Sequence, residues 1–439
     1  MTAIDPTRRL HLSLNLSGVG RHTAAWTHPA SVPGAELDPE HFVHVAQLAE
    51  AGRFDAVFLA DSPALGGDER GVPHRFEPFG LLAALATGTE RIGLIGTVST
   101  TYNDPATVAD RAWSLHTLSG GRAAINAVAS AGDRIAANFG LASQPDHGRR
   151  YANAGAFLDT VRARWARAPA GVPGRPLVVQ AGGSARGREL AARHADVVYA
   201  GGYGIADAQA LDADLRSRAA RRGRRPPLVL PGVIPYVAET TAEAHRLADR
   251  LDAVQRGTVD PLRWLGPVLG ADLTGLDPDG PLPPDLLPAD ADPLSGASLA
   301  GLARTLGERE GLTVRQIADR LHAGGFGNIQ THLHGTPAQI ADRLLGWFRR
   351  GVAGFNLLLP LQPDGVARFV DQVVPLLTAA GGYPAEYRAE TLAGHLGLPV
   401  ENTAPPPEPG SATAPPEPGP APVAPPAPHS VGPHVRRTA

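Results

Sequence analysis

Short apolar runs alternate with amphipathic stretches along most of this chain. HLSLNLS (His11–Ser17) alternates apolar and polar residues and predicts a first strand. DAVFLA (Asp55–Ala60), IGLIGTV (Ile92–Val98), RAAINAVAS (Arg122–Ser130), PLVVQAG (Pro176–Gly182), DVVYAGG (Asp196–Gly202), PLVLPGVIPYVA (Pro227–Ala238) and FNLLLP (Phe355–Pro360) carry no helical period and predict seven more, buried on both faces. Between them, apolar residues recur three and four apart, as in ATVADRAWSLHTL (Ala106–Leu118), which predicts amphipathic helices. Asn103-Asp104-Pro105 and Thr336-Pro337 supply helix starts, and Ser119-Gly120-Gly121 a stop. NIQTHLHG before Thr336 predicts a loop, and the Gly-, Pro- and Asp-rich stretch 257–300 a long irregular loop or lid. GLTVRQIADRLHA after it predicts a helix.

About eight buried strands, each followed by a helix, predict a (β/α)8 TIM barrel rather than a doubly wound sheet. The barrel domain occupies residues 1–400, with an insertion over 257–330. From Asn402 the sequence turns to Pro, Ala, Glu and Gly without residues for a core, so 401–439 is expected to be a disordered tail.

Ligands in such a barrel sit beyond the carboxyl ends of the strands, and polar residues gather there. Asp61 follows the second strand; it either caps the FLADSP turn or meets a ligand. Thr100 follows the third, where local turn bonding is the alternative to a ligand contact. Asn126 lies within an Ala/Ile/Val strand and needs partners, from the protein or from a bound molecule with an alternating donor and acceptor edge. His147 and Tyr151 share one face at the start of a helix, which by itself describes a surface pair as readily as a site. Gly183 and Ser184 open another helix, where backbone N–H groups can cradle a phosphate or simply make a tight turn. The loop after the first strand holds His22, Trp26 and His28, and His332 and His334 precede the Thr336 helix.

Composition removes several chemistries. There is no Cys, hence no thiolate nucleophile, disulfide, cysteine-ligated zinc or iron–sulfur cluster. All 40 Lys+Arg residues are Arg, so Schiff-base chemistry and a phosphate-loop lysine are excluded. No cluster suggests a metal site. Net charge is −3, which gives no bulk attraction to nucleic acid or a membrane surface. Arg221-Arg222-Gly223-Arg224-Arg225 is the one dense basic run and reads as a solvated loop. No apolar run approaches the roughly 20 residues of a span. MTAIDPTRR has no apolar segment behind its charges and does not read as a signal peptide, so a cytoplasmic protein is expected.

STTYNDP, LSGGRAAINAVAS and AANFG, in this order, resemble the flavin-dependent monooxygenases of the bacterial-luciferase-like superfamily. The branch is that of nitrilotriacetate monooxygenase, dibenzothiophene-sulfone monooxygenase and pristinamycin synthase. The likeness extends over most of residues 10–398. It includes GRHTAAWTHP at His22, FLADS at Asp61, His147-x-x-x-Tyr151, and QAGGSARG at Gly183 and Ser184. The resemblance implies a two-component monooxygenase: a separate NAD(P)H:flavin reductase supplies reduced FMN, and O2 is activated as a flavin C4a-(hydro)peroxide to oxidise a small organic molecule. Asp61, Thr100, Asn126, His147, Tyr151, Gly183 and Ser184 would hold FMN. His22 and one of His332 and His334 would face substrate and peroxide. A homo-oligomer is expected. An F420-dependent hydride-transfer enzyme on the same barrel, and a non-catalytic flavin-binding or assembly protein, are the alternatives.

Three departures from the family pattern stand out. Ala156 replaces an acid, and Arg186 stands where an acid is commoner. Only ARAPAGVPGR, residues 166–175, joins Trp165 to the next strand, where relatives carry a long insertion. Its loss predicts a more open pocket, or one closed by another loop or a partner.

Overall fold

In the computed structural model, residues 8–64, 76–168, 171–201, 204–258, 260–287, 299–323 and 330–400 are described. The strands are β1 (His11–Leu16), β2 (Ala56–Leu59), β3 (Gly93–Ser99), β4 (Ala123–Val128), β5 (Leu177–Gln180), β6 (Val197–Ala200), β7 (Leu228–Val237), β8 (Thr331–Gly335) and β9 (Gly354–Leu357). Every pairing is parallel. Eight strands close a ring, β1 through β7 and then β9, which pairs back onto β1 with His11 opposite Gly354. The expected (β/α)8 TIM barrel is the fold.

The eight ring strands are those expected from the apolar runs. The ninth, β8, corrects the loop expected over NIQTHLHG. It pairs with the last five residues of β7, Val233–Val237, beyond the point where β6 leaves that strand at Pro231. A segment reading His-Leu-His offers one apolar residue, too little for a periodicity signal; its partner strand supplies the order.

The helices that follow the strands are α1 (Pro39–Ala51), α2 (Pro78–Gly88), α3 (Pro105–Leu118), α4 (Asp133–Asn138), α5 (His147–Trp165), α6 (Ala185–His194) and α7 (Ile205–Ala220). Asp104 caps α3 by accepting the Thr107 N–H at 2.7 Å, with Pro105 at the first helical position. Leu12, Leu14, Val57, Leu94, Ile125 and Val178 point out of the barrel into one cluster with the helices. Ala56, Phe58, Ile95, Ala124, Val179, Val197, Tyr199 and Leu230 fill the lumen and rest on Leu392, Ala393 and Leu396. Higher in the lumen the same strand faces turn polar: Asn15, Thr97, Asn126 and Asn356 are all buried. A barrel with an apolar floor and a polar upper storey is plugged below and equipped for a ligand above.

The chain leaves β7 for an excursion before returning through β8. It contains α8 (Thr241–Thr258), α9 (Pro261–Leu269), α10 (Leu299–Glu310) and α11 (Val314–His322). The helix α9 corrects the irregular loop expected over 257–300, and α10, which begins at Leu299, follows it as a second helix not expected from the sequence. Their apolar residues, Leu265, Leu269, Leu302 and Leu306, close onto Val314, Ile317 and Leu321 of α11 as a small core of their own. Pro and Gly at the turns masked that pattern in the sequence. After β8 the chain runs through α12 (Pro337–Arg349), where Thr336 and Gln339 form a reciprocal capping box.

The short connection 166–175 joins the end of α5 to the start of β5. Its residues meet strand beginnings: Arg175 pairs with Asp196, just before β6, at 2.9 Å, and the Pro173 carbonyl lies 3.3 Å from His116 near the end of α3. Its described residues, 166–168 and 171–175, therefore lie on the amino-terminal face of the barrel, opposite the mouth, because every helix-to-strand connection of this fold returns there. Its brevity does not open the mouth, which corrects the expectation of a pocket widened by its loss. The tail expected to be disordered, 401–439, lies outside the described residues. No helix among the described residues is long and apolar enough to cross a membrane.

Candidate active site

Asn126 sits in the upper lumen, opposite Thr97 of β3 and Val179 of β5. Its Nδ2 donates to Thr97 Oγ1 at 3.1 Å, while its Oδ1 is buried with no hydrogen-bond partner among the described residues. An unpaired buried acceptor costs about 1–3 kcal/mol, so its presence above the apolar floor marks a place for a donor from a ligand. Thr100 is also buried, but its N–H and Oγ1 both donate to the Val128 carbonyl, at 2.9 and 3.3 Å. That is local bracing between the ends of β3 and β4, one of the two readings its sequence left open. Asp61 follows β2 on the exposed rim.

Two helix starts lie beyond β4 and β5. His147 opens α5 and Tyr151 stands one turn on; their rings are 4.8 Å apart and tilted by 53°. The pair is half-buried. Arg150 between them is buried and spans the loop below, donating to the carbonyls of Pro145 and Ala129 at 3.1 and 2.9 Å. At the start of α6, Ser184 Oγ accepts the Gly187 N–H at 3.1 Å as a helix cap, and the Gly183 carbonyl accepts from Arg188 at 2.6 Å. The cap leaves the Ser184 hydroxyl proton and the first N–H groups of α6 directed away from the helix body.

The histidines form a separate group on the other side of the mouth. His332 and His334 lie on one face of β8. His334 stacks between Tyr236, at 4.9 Å, and His245 of α8, at 4.4 Å. Burial lowers both strand imidazoles to about 4; the neighbouring His334 adds to this for His332, and His245 for His334. Both are neutral near pH 7. His22 is buried, and its two ring nitrogens are engaged: Nδ1 accepts the Ala24 N–H at 3.1 Å, and Nε2 lies 3.0 Å from Asp252 Oδ1 on α8. Accepting at Nδ1 puts the proton on Nε2. His22 thus joins the β1 exit loop to α8, and the structure does not bring its ring into contact with those of His332 and His334.

Several site residues went unread in the sequence. Asp252 is one: it shares the helix face of Ala248, Leu251 and Gln255, all buried, and a carboxylate on a buried face was the available signal. Tyr236, whose buried hydroxyl has no partner among the described residues, was hidden in an apolar strand. Gln180, at the end of β5, is buried with an unpartnered Oε1. A cavity of about 430 Å³ lies on the histidine side, bordered by Tyr236, Leu247, Arg250, Pro360, Leu361 and Arg368. Among the described residues no group of three or more His, Asp or Glu could hold a metal ion.

The family model for luciferase-like monooxygenases matches residues 19–354. A pristinamycin IIA synthase subunit of Streptomyces pristinaespiralis is 41% identical, over 92% of this chain and 99% of its own. Nitrilotriacetate monooxygenase component A of Aminobacter aminovorans is 36% identical, over 91% of this chain and 99% of its own. Among solved structures, EDTA monooxygenase from Chelativorans sp. BNC1 superposes with a TM-score of 0.70 at 32% identity, covering 90% of this chain and all of that one. An F420-dependent secondary alcohol dehydrogenase, at 13% identity and a TM-score of 0.54, shares the fold alone.

Proposed function

The chain belongs to the luciferase-like monooxygenases and is a flavin-dependent monooxygenase; from that premise we propose that it is the oxygenase half of a two-component system. In this reading it takes reduced FMN from a separate NAD(P)H:flavin reductase and oxidises a small organic molecule with O2. One relative is named as one component of a monooxygenase, another as one of the chains of a synthase, and both names support the division of labour. The barrel with its insertion, residues 1–400, carries the activity.

The observation that supports the site best is the buried, unpartnered Oδ1 of Asn126 above the lumen floor. A flavin ring offers an N–H for it, so the residues present fit the group. The two helix starts beyond β4 and β5 fit a phosphate, through the N–H groups of α6, the Ser184 hydroxyl and the His147–Tyr151 pair. Asp61 and Thr100, at the ends of β2 and β3, would help hold the ring. When bound, reduced flavin supplies the electrons that activate O2.

The protein's own contribution is to bind, orient and exclude water. Asn126 fixes the ring edge, and the plugged lumen bars water from below. His332 and His334, neutral near pH 7, each offer an N–H donor and an acceptor nitrogen on the substrate side, where a proton must be delivered to the reduced oxygen atom that leaves as water. His22, held by Asp252, sets the position of the loop that closes that side.

Anaerobic titration with reduced FMN, followed by mixing with O2, tests the proposal. Saturable binding and a transient absorbance distinct from free flavin are expected, with both diminished in Asn126→Ala. Reduced-FMN binding without a transient would point to hydride transfer or a binding role instead. Absence of flavin binding would overturn the site.

A further inference from the structure

The Arg186 side chain reaches from the start of α6 towards the start of α5. Its Cζ and one terminal nitrogen each lie 3.5 Å from the point where a Cβ on Gly148 would stand. Gly148 is the residue after His147, so this guanidinium lies between the two helix starts. It is exposed and forms no ion pair among the described residues. Asp146 Oδ1 accepts the Arg149 N–H at 2.9 Å and lies 3.2 Å from the same Gly148 point, so its carboxylate shares this gap and is stabilised in part by the Arg186 charge. A second feature of the same loop points to a ligand. Gln180 is 3% exposed, its Oε1 has no partner, and its amide nitrogen lies where a Cβ on Gly182 would collide with it. The strand end and the start of α6 thus present a buried amide with an unpartnered oxygen on one side and an exposed guanidinium on the other.

We propose that Arg186 is a specificity residue of this chain, selecting a flavin that bears a terminal phosphate over one that lacks it. The inference rests on the flavin reading above and concerns a position where the family pattern more often carries an acid. A planar guanidinium beside two helix starts adds a full, permanently charged donor to the backbone dipoles and to the His147, Tyr151 and Ser184 side chains there. The phosphate end would then be held by charge as well as by hydrogen bonds, and the affinity would fall with ionic strength.

The test is anaerobic binding of reduced FMN and reduced riboflavin to the full chain and to Arg186→Ala, Arg186→Lys and Arg186→Glu, at several salt concentrations. In Arg186→Ala, FMN affinity is expected to fall about tenfold at low salt and the salt dependence to flatten, with riboflavin unchanged. Arg186→Lys should restore part of the loss, and Arg186→Glu, which returns the acid, should deepen it. Equal losses for both flavins would make Arg186 merely structural and overturn the proposal, as would no loss for either. If the unaltered chain binds neither flavin, the flavin reading fails together with it; if it binds both and the variants match it, only the role of Arg186 falls.

Discussion

His22 and Asp252, 230 positions apart, meet at 3.0 Å with the imidazole buried and the carboxylate nearly so. One stands on the loop after β1, the other on α8, the first helix of the excursion between β7 and β8. The next pair repeats the connection: Thr23 Oγ1 donates to Gln255 Oε1 at 2.6 Å, and Gln255 Nε2 donates to the His322 carbonyl at 2.5 Å. Two consecutive loop residues and two positions on one face of α8 therefore fasten the excursion to the barrel mouth.

Removal of the carboxylate should loosen this fastening. Asp252→Ala leaves the His22 Nε2–H buried without an acceptor and is expected to destabilise the protein by about 1–3 kcal/mol. Asp252→Asn still offers an oxygen and should stay within about 1 kcal/mol of the unaltered chain. Urea midpoints with unchanged m-values would establish this; equal effects of the two substitutions would remove the hydrogen bond from the account.

The two strand histidines make a prediction about pH. Burial holds His332 and His334 at about 4, below the ordinary 6.5. A histidine whose folded value is depressed binds its proton more readily in the unfolded chain. Its stabilising contribution is complete above about 6.5 and is lost as pH falls towards about 4. His116 and His194, also lowered to about 4 by burial, act in the same window. Stability should therefore drop on acidification from about pH 6.5, with a slope of up to about 1.4 kcal/mol per pH unit for each such group. His332→Gln with His334→Gln should remove about half of the slope shared by these four. Denaturant midpoints across that range would measure it.

Arg122 explains part of a motif that resembles the family without touching the mouth. It lies in LSGGR at the start of β4, is 3% exposed, and donates to the carbonyls of Ala86, Thr89, Ile92 and Ser119 and to Thr89 Oγ1. The guanidinium ties the end of α2 and the start of β3 to the end of α3. Arg122→Ala strands several buried carbonyls and is expected to lower stability by at least about 3 kcal/mol. The flavin affinity of the fraction that folds should be unchanged. A loss of binding at full stability would place Arg122 in the site instead.

How far the sequence could be read depended on the range of the interaction. Seven ring strands were legible because burial on both faces leaves an apolar run without a helical period, and β1 because its apolar and polar residues alternate. β8 was not, because only its pairing with β7 makes THLHG a strand. Of the insertion's helices α11 was legible, whereas α9 and α10 were hidden by the Gly and Pro of their turns, although their leucines close a core. Asn126 was legible as a polar residue in an apolar strand. The bond from His22 to Asp252 was not, since nothing local couples a loop at position 22 to a helix 230 residues later. The residues of Thr100 and Ser184 type sit between these cases. Turn bonding and ligand binding call for the same side chain, and in the structure each hydroxyl oxygen takes part in a local bond.

Asn126 allows stability and ligand binding to be separated in one substitution. Leucine has nearly the same size and no polar atom. If the amide serves only the fold, Asn126→Leu loses the bond to Thr97 Oγ1 and also removes an acceptor that has no partner among the described residues. Those effects oppose each other, so stability should change by less than about 1.5 kcal/mol. If the free oxygen awaits the N–H of a flavin ring, the same substitution should weaken reduced-FMN binding about tenfold or more, since one such bond is worth about 1.4 kcal/mol or above. Thermal midpoint and anaerobic titration on the same preparation distinguish the two. Near-normal stability with lost binding assigns the amide to the ligand. Lost stability with normal binding assigns it to the barrel, and the site would then have to be sought on the histidine side of the mouth.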